Sequence, residues 1–69
     1  MSISARNQLK GKITEIILGD VMAHVSIRVG QNVIDSVITR KSAEELKLKK
    51  GDAVIAIVKA TEVMVSKPN

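Results

Sequence analysis

The sequence has no cysteine, no phenylalanine, no tyrosine and no tryptophan, and only one histidine and one proline. Without cysteine there is no disulfide framework, and a single histidine cannot supply the ligand set of a structural zinc site. The missing aromatics bear on nucleic acid, because single-stranded binders rely on aromatic side chains on which bases stack. No apolar run approaches the length of a membrane span, and no charged segment followed by an apolar stretch marks an export signal. The expected address is the cytoplasm, with no membrane partner. Catalytic sets are missing too. No nucleophile–base pair, carboxylate pair or metal-ligating cluster emerges, so an enzyme is not expected.

What is present is apolar and basic. Of 69 residues, 45% are hydrophobic, and 11 Lys and Arg stand against 7 acids for a net charge of +4. A positive balance favours an anionic partner, and the scatter of the basic residues makes nucleic acid unlikely as that partner. A chain this short buries roughly 60% of its unfolded surface. Its apolar content exceeds what so small a core can hide, and small scaffolds without disulfides or metals commonly oligomerise. The chain is expected to self-associate.

Strand periodicity dominates. From Leu9 to Leu18 the apolar residues keep to odd positions until Glu15, Ile16 and Leu18 break the alternation. Gly19-Asp20 reads as a tight turn with a positive φ at Gly19. In Val21 to Val29, Val21, Ala23, Val25, Ile27 and Val29 share one face, and Met22, His24, Ser26 and Arg28 the other. A lone histidine on a polar strand face is assigned no chemistry. Gly30-Gln31-Asn32 turns the chain into a third strand, Val33 to Thr39. Ser42, followed three residues later by Glu45, forms a capping-box pattern that starts a short helix, with Leu46 and Leu48 turned inward and Gly51 as its stop. Asp52 to Ala60 is a fourth strand, apolar on both faces from Ala53 to Val58, so that a partner chain must cover one of them. Val63-Met64-Val65 gives a short fifth strand before a Lys67-Pro68-Asn69 tail. Five short strands with one helix between the third and fourth is the layout of an OB-like Greek-key barrel, all-β apart from that helix. Residues 1–69 form one domain.

One stretch stands out chemically. Ser4-Ala5-Arg6-Asn7-Gln8-Leu9-Lys10-Gly11 sets a hydroxyl, a guanidinium, two amides and an ammonium in eight residues. These donors suit a small polyoxygen anion. Taken alone, the same residues read more simply as a polar lead-in to the first strand.

Three blocks together carry a resemblance: Ser2 to Gly11, Ile38-Thr39-Arg40-Lys41-Ser42-Ala43-Glu44-Glu45-Leu46, and Val58-Lys59-Ala60-Thr61-Glu62-Val63-Met64-Val65. In this order and spacing the chain resembles the molbindins, the stand-alone Mop domains, over residues 2 to 66. The resemblance implies an OB-like subunit in a hexamer built as a trimer of dimers, with molybdate or tungstate held between subunits. It implies an oxyanion site on Ser4, Ala5 and Arg6 of one chain, completed by Thr39 and Ser42 at the helix entrance and by Lys59 with Ala60 after the fourth strand. The protein itself would supply no direct metal ligand and need no cofactor. The function implied is cytoplasmic binding and storage of molybdate or tungstate for molybdenum homeostasis. The alternative is an oxyanion-sensing regulatory module that contacts protein or nucleic acid.

Overall fold

The structure, a computed structural model, describes residues 6–68. Its element order is β1 (Asn7–Leu18), β2 (Met22–Val29), β3 (Asn32–Thr39), α1 (Arg40–Glu45), β4 (Ala53–Val58) and a single 3₁₀ turn at Ala60–Glu62. The strands form one antiparallel sheet in the order β3-β2-β1-β4. Short hairpins join β1 to β2 and β2 to β3. The helical connection then carries the chain across to the far edge, where β4 pairs with the first half of β1. The fold is mostly β with one short helix and OB-like, as the strand layout predicted.

The broken alternation of β1 has a cause. Lys12 and Ile13 pair with Arg28 and Ile27, but the next partner of Ser26 is Glu15, so Thr14 is an extra residue. This bulge moves the inward parity from odd to even: Ile13 is buried before it, and Ile16 packs on the core after it. Thr14 turns its hydroxyl to the Ser26 carbonyl, 3.3 Å away. Bulges also bend a strand, which lets β1 pair with β2 along its second half and β4 along its first. At Gly11 the backbone of β1 passes close to β2. A Cβ there would lie 2.4 Å from the Arg28 carbonyl oxygen and 2.8 Å from Ile27 Cγ2.

The core is small: Ile13, Val25, Ile27 and Ala56 are buried together, with Ile16, Val29, Ile34, Ile38, Leu48 and Val54 packed around them. These are the alternate residues that strand periodicity assigns to one face. The polar side of β2 is confirmed by His24, whose Nε2 lies 3.2 Å from Asp35 Oδ1.

Four local expectations are corrected. Gly19 does not adopt positive φ; Gly30 does, at +62°. The Gly19 amide instead closes the β1–β2 turn by donating to the Met22 carbonyl at 2.8 Å. Helix α1 begins at Arg40, with Thr39 rather than Ser42 as its N-cap. It stops before Gly51: Lys47 takes the left-handed conformation at φ 53°, and the amides of Lys47 and Leu48 fold back onto the Glu44 and Ala43 carbonyls. That is a Schellman ending, which a lysine fills here in place of the usual glycine. Leu48 then reaches the core, whereas Leu46 stays 67% exposed.

Val63–Val65 forms no strand. The 3₁₀ turn diverts the chain from the line of β4, and Met64 and Val65 are each 93% exposed. The described sheet therefore has four strands, and β3 and β4 are both edges. Between them lies an apolar cleft of about 350 Å³, lined by Ile34 and Ile38 on one side and by Val54, Ala56 and Val58 on the other. No ladder closes the barrel on this side among the described residues.

Candidate anion-binding site

Thr39 and Ser42, two of the residues expected in the site, stand where β3 hands over to α1. Thr39 is the last residue of β3, with extended backbone (φ −72°, ψ 148°), and its Oγ1 accepts from the Ser42 amide at 3.0 Å. The same Oγ1 lies 2.8 Å from Ser42 Oγ. Threonine suits both duties, since β-branching favours the strand and the hydroxyl caps the helix. The two hydroxyls are thus locked side by side on the exposed rim.

Two backbone amides at this helix entrance are already paired within the chain. The Ser42 amide is taken by Thr39, and the Arg40 amide donates to the Val21 carbonyl at 2.8 Å. The capping-box pattern does not form the cap, because Ser42 stands inside the helix and not before it. Hydroxyls and charge, more than the dipole of a six-residue helix, are what this end offers.

Sequence reasoning missed Arg40. Its Nη1 donates to the Gly19 carbonyl at 3.2 Å, and its Nε lies 3.7 Å from Glu44 Oε1. The guanidinium ties the β1–β2 turn to the start of α1 and brings a cation beside Thr39. The available signal was its place directly after Thr39, in the middle block. A shallow depression bounded by Asp20, Val21, Thr39, Arg40, Lys41 and Glu44 marks this end of the molecule.

The other expected residues lie elsewhere. Asn7 pairs with Val58, the last rung of the β1–β4 ladder, so Arg6 and Lys59 flank the next position beyond it. Lys59 has extended backbone (φ −67°, ψ 138°), and its carbonyl accepts from the Glu62 amide at 2.9 Å, which opens the 3₁₀ turn containing Ala60. Arg6, Lys59 and Ala60 are all exposed. Ser4 and Ala5, which the sequence reading placed with them, lie outside the described residues.

The two groups stand at opposite ends of β1. Arg6 and Lys59 sit at its Asn7 end; at its other end Leu18 pairs with Ala23, and Met22 with Thr39. Twelve residues of strand span on the order of 35 Å at about 3.3 Å per residue, less whatever the bend removes. One small tetrahedral anion cannot touch both ends of the same chain.

No helix of the described residues is long and apolar enough to cross a membrane, and they hold no group of three or more His, Asp or Glu that could hold a metal ion. Among them Thr39 and Ser42 stand beside Arg40 at one end of β1, and Arg6 and Lys59 lie at the other. The geometry defines a small OB-like domain that presents polar donors at its rims.

Comparison with known proteins agrees with that class. The TOBE domain family matches residues 3–65. Molybdenum-pterin-binding protein 2 of Clostridium pasteurianum is 50% identical over 66 residues, covering 94% of this chain and 97% of that protein. A probable molybdenum-pterin-binding protein of Haemophilus influenzae is also 50% identical, over 94% of this chain and 96% of its own. Among solved structures, a molybdate-binding protein from Sporomusa ovata superposes with a TM-score of 0.92 at 42% identity, covering 97% of this chain and 100% of that one. The cytoplasmic molybdate-binding protein ModG, with molybdate bound, superposes with a TM-score of 0.81 at 36% identity, covering 87% of this chain and 43% of that one. The chain belongs to the TOBE domain family, with stand-alone Mop proteins, the molbindins, as its full-length relatives. These relatives are named as binding proteins.

Proposed function

We propose that this protein binds molybdate or tungstate between subunits of a homo-hexamer, a trimer of dimers, and stores the oxyanion in the cytoplasm for molybdenum homeostasis. The observation that carries the reading is the separation of the two donor sets. Thr39 and Ser42 at one end of β1, and Arg6, Lys59 and Ala60 at the other, are each half a site. Setting one chain's Arg6–Lys59 end against another's Thr39–Ser42 end joins them, with Ser4 and Ala5 beside Arg6. Support for the ligand comes from the relatives: two are named for molybdenum-pterin binding and two solved structures for molybdate binding.

The chemistry fits. A tetrahedral dianion needs many directed donors and compensating charge. Thr39 and Ser42 provide hydroxyls without adding charge, while Arg6 and Lys59 provide cations just beyond the end of the β1–β4 ladder. Enclosure between subunits strengthens each of these hydrogen bonds by removing competing water. No cofactor or protein-derived metal ligand is required, because the metal arrives wrapped in its own oxygens. Open edges at β3 and β4 and the exposed Val63–Val65 segment are further surfaces for association to cover.

Isothermal titration with molybdate, tungstate, sulfate and phosphate tests the ligand. Saturable binding of the first two is expected; an isotherm no stronger for molybdate or tungstate than for sulfate contradicts the reading.

A further inference from the structure

We infer that the loop joining α1 to β4 is a docking surface for an acidic segment of a partner polypeptide, with Lys47, Lys49 and Lys50 as its charged contacts and Leu46 as its apolar anchor. The loop lies at the end of α1 opposite Thr39 and Ser42, so this surface is separate from the proposed oxyanion site and does not depend on it. The first observation is the backbone of Lys47. Its φ of 53° is the left-handed conformation, which glycine ordinarily fills at the end of a helix. The lysine side chain does nothing for that ending. The bonds that close it come from the main-chain amides of Lys47 and Leu48, at 3.0 and 3.2 Å, and glycine would make them equally. A side chain kept where the backbone would do better without it points to a use outside the fold.

The second observation is that the charge of this loop is left unanswered. Lys47, Lys49 and Lys50 are all exposed, and neither ion pair among the described residues includes one of them. The one acid in residues 46–52, Asp52, is committed to the main chain. Its Oδ2 accepts from the Lys49 amide at 2.9 Å, and its own amide donates to the Lys49 carbonyl at 3.1 Å. That closes a turn with Lys50 and Gly51 at its centre, Gly51 at φ +93°. The turn is fixed to β1, since the Gly51 amide donates to the Ile13 carbonyl at 2.7 Å and the Ile13 amide to the Asp52 carbonyl at 3.0 Å. Three lysines against one acid put half of the chain's net charge of +4 in this loop, on backbone already held by hydrogen bonds. A preformed cationic surface favours an acidic partner and loses little backbone entropy on binding it. Leu46 decides the kind of partner. It is 67% exposed directly before Lys47, and an apolar side chain among cations matches a polypeptide carrying both acids and apolar residues, whereas a phosphate backbone offers it nothing. Lysine also lacks the planar fork that arginine brings to phosphate, and the chain has no aromatic side chain on which a base could stack.

Fluorescence anisotropy on the full chain, without added oxyanion, tests the inference with two labelled peptides. One is a short run of glutamates around a single leucine; the other carries glutamine in place of each glutamate. A DNA oligonucleotide of the same charge serves as competitor. The variant Lys47→Gly/Lys49→Gln/Lys50→Gln removes the loop's cations, and Lys10→Gln/Lys12→Gln/Lys67→Gln removes the same charge elsewhere. The glutamate peptide should bind the parent saturably and the loop variant about tenfold more weakly, the scale of a few exposed ion pairs. The control variant should stay near the parent, the glutamine peptide should not bind, and Leu46→Ala should weaken binding as well. Thermal melts keep folding apart from docking. Lys47→Gly on its own should melt no lower than the parent and still bind the peptide more weakly, which a purely structural lysine would not do; it carries the test should the triple variant fail to fold. A parent that ignores the glutamate peptide, a loop variant that binds it like the parent, or a loop-dependent preference for the oligonucleotide overturns the inference.

Discussion

Replacing Thr39 by valine tests how the rim of the site is held. Valine keeps the β-branched shape and the extended backbone, so the change isolates the hydroxyl. Two interactions go with it: the 3.0 Å acceptance from the Ser42 amide and the 2.8 Å contact with Ser42 Oγ. Loss of an N-cap hydroxyl costs about 1 kcal/mol, within a range of roughly 0.5–2. In a domain of this size that corresponds to a fall of about 4–8 °C in Tm. Thr39→Ser restores the cap and should recover most of the loss. Ser42→Ala removes no cap and should cost less than Thr39→Val, the reverse of what a Ser42 N-cap would give. Thermal melts at one fixed protein concentration, needed because an assembly's Tm depends on concentration, decide the order. A Thr39→Val variant melting within a degree of the parent, beside a Ser42→Ala variant losing several degrees, would refute the cap assignment.

Gly11→Ala forces a Cβ against the Arg28 carbonyl and the Ile27 side chain, and should destabilise by roughly 1–3 kcal/mol, read as a lower denaturant midpoint with unchanged slope. Lys47→Gly relieves a left-handed conformation that costs about 1–2 kcal/mol, against an entropic cost of glycine of roughly 0.5–1, and should stabilise by about 0.5–1 kcal/mol in the same assay. Lys59→Ala removes an exposed cation after β4, so the fold and its melting point without ligand should stay near the parent. Its molybdate affinity should fall by about 30-fold or more, the equivalent of the roughly 2 kcal/mol lower bound for truncating one member of an enclosed charged pair. Parent-like titration of Lys59→Ala would remove that residue from the site.

Much of the fold was legible because strand burial follows a period of two. The inward set Ala23, Val25 and Ile27 is the alternation of β2 read directly, and the break at Glu15 is the signature of the bulge at Thr14. The helix boundary was less legible. Thr39-x-x-Ser42 and Ser42-x-x-Glu45 are overlapping cap patterns, and only the tertiary end of β3 at Thr39 selects the first. Lys47 in the left-handed region escaped notice because glycine is the usual signal. Val63–Val65 has the composition of a strand, but a ladder needs a neighbour, and the 3₁₀ turn at Ala60–Glu62 carries the segment away from its own sheet. For the candidate site, the grouping of the expected residues was not legible. That Arg6 and Lys59 share one end of β1, while Thr39 and Ser42 share the other, follows from strand registers that the linear sequence does not display.

The most direct test of the central claim is a single titration followed by mass. Native mass spectrometry of the untagged protein, at rising molybdate concentration, counts subunits and anions in the same particle. A six-subunit assembly that takes up molybdate only in the assembled state is the predicted result, since each site needs one chain's Arg6–Lys59 end and another's Thr39–Ser42 end. Stoichiometric molybdate on a folded monomer would contradict it.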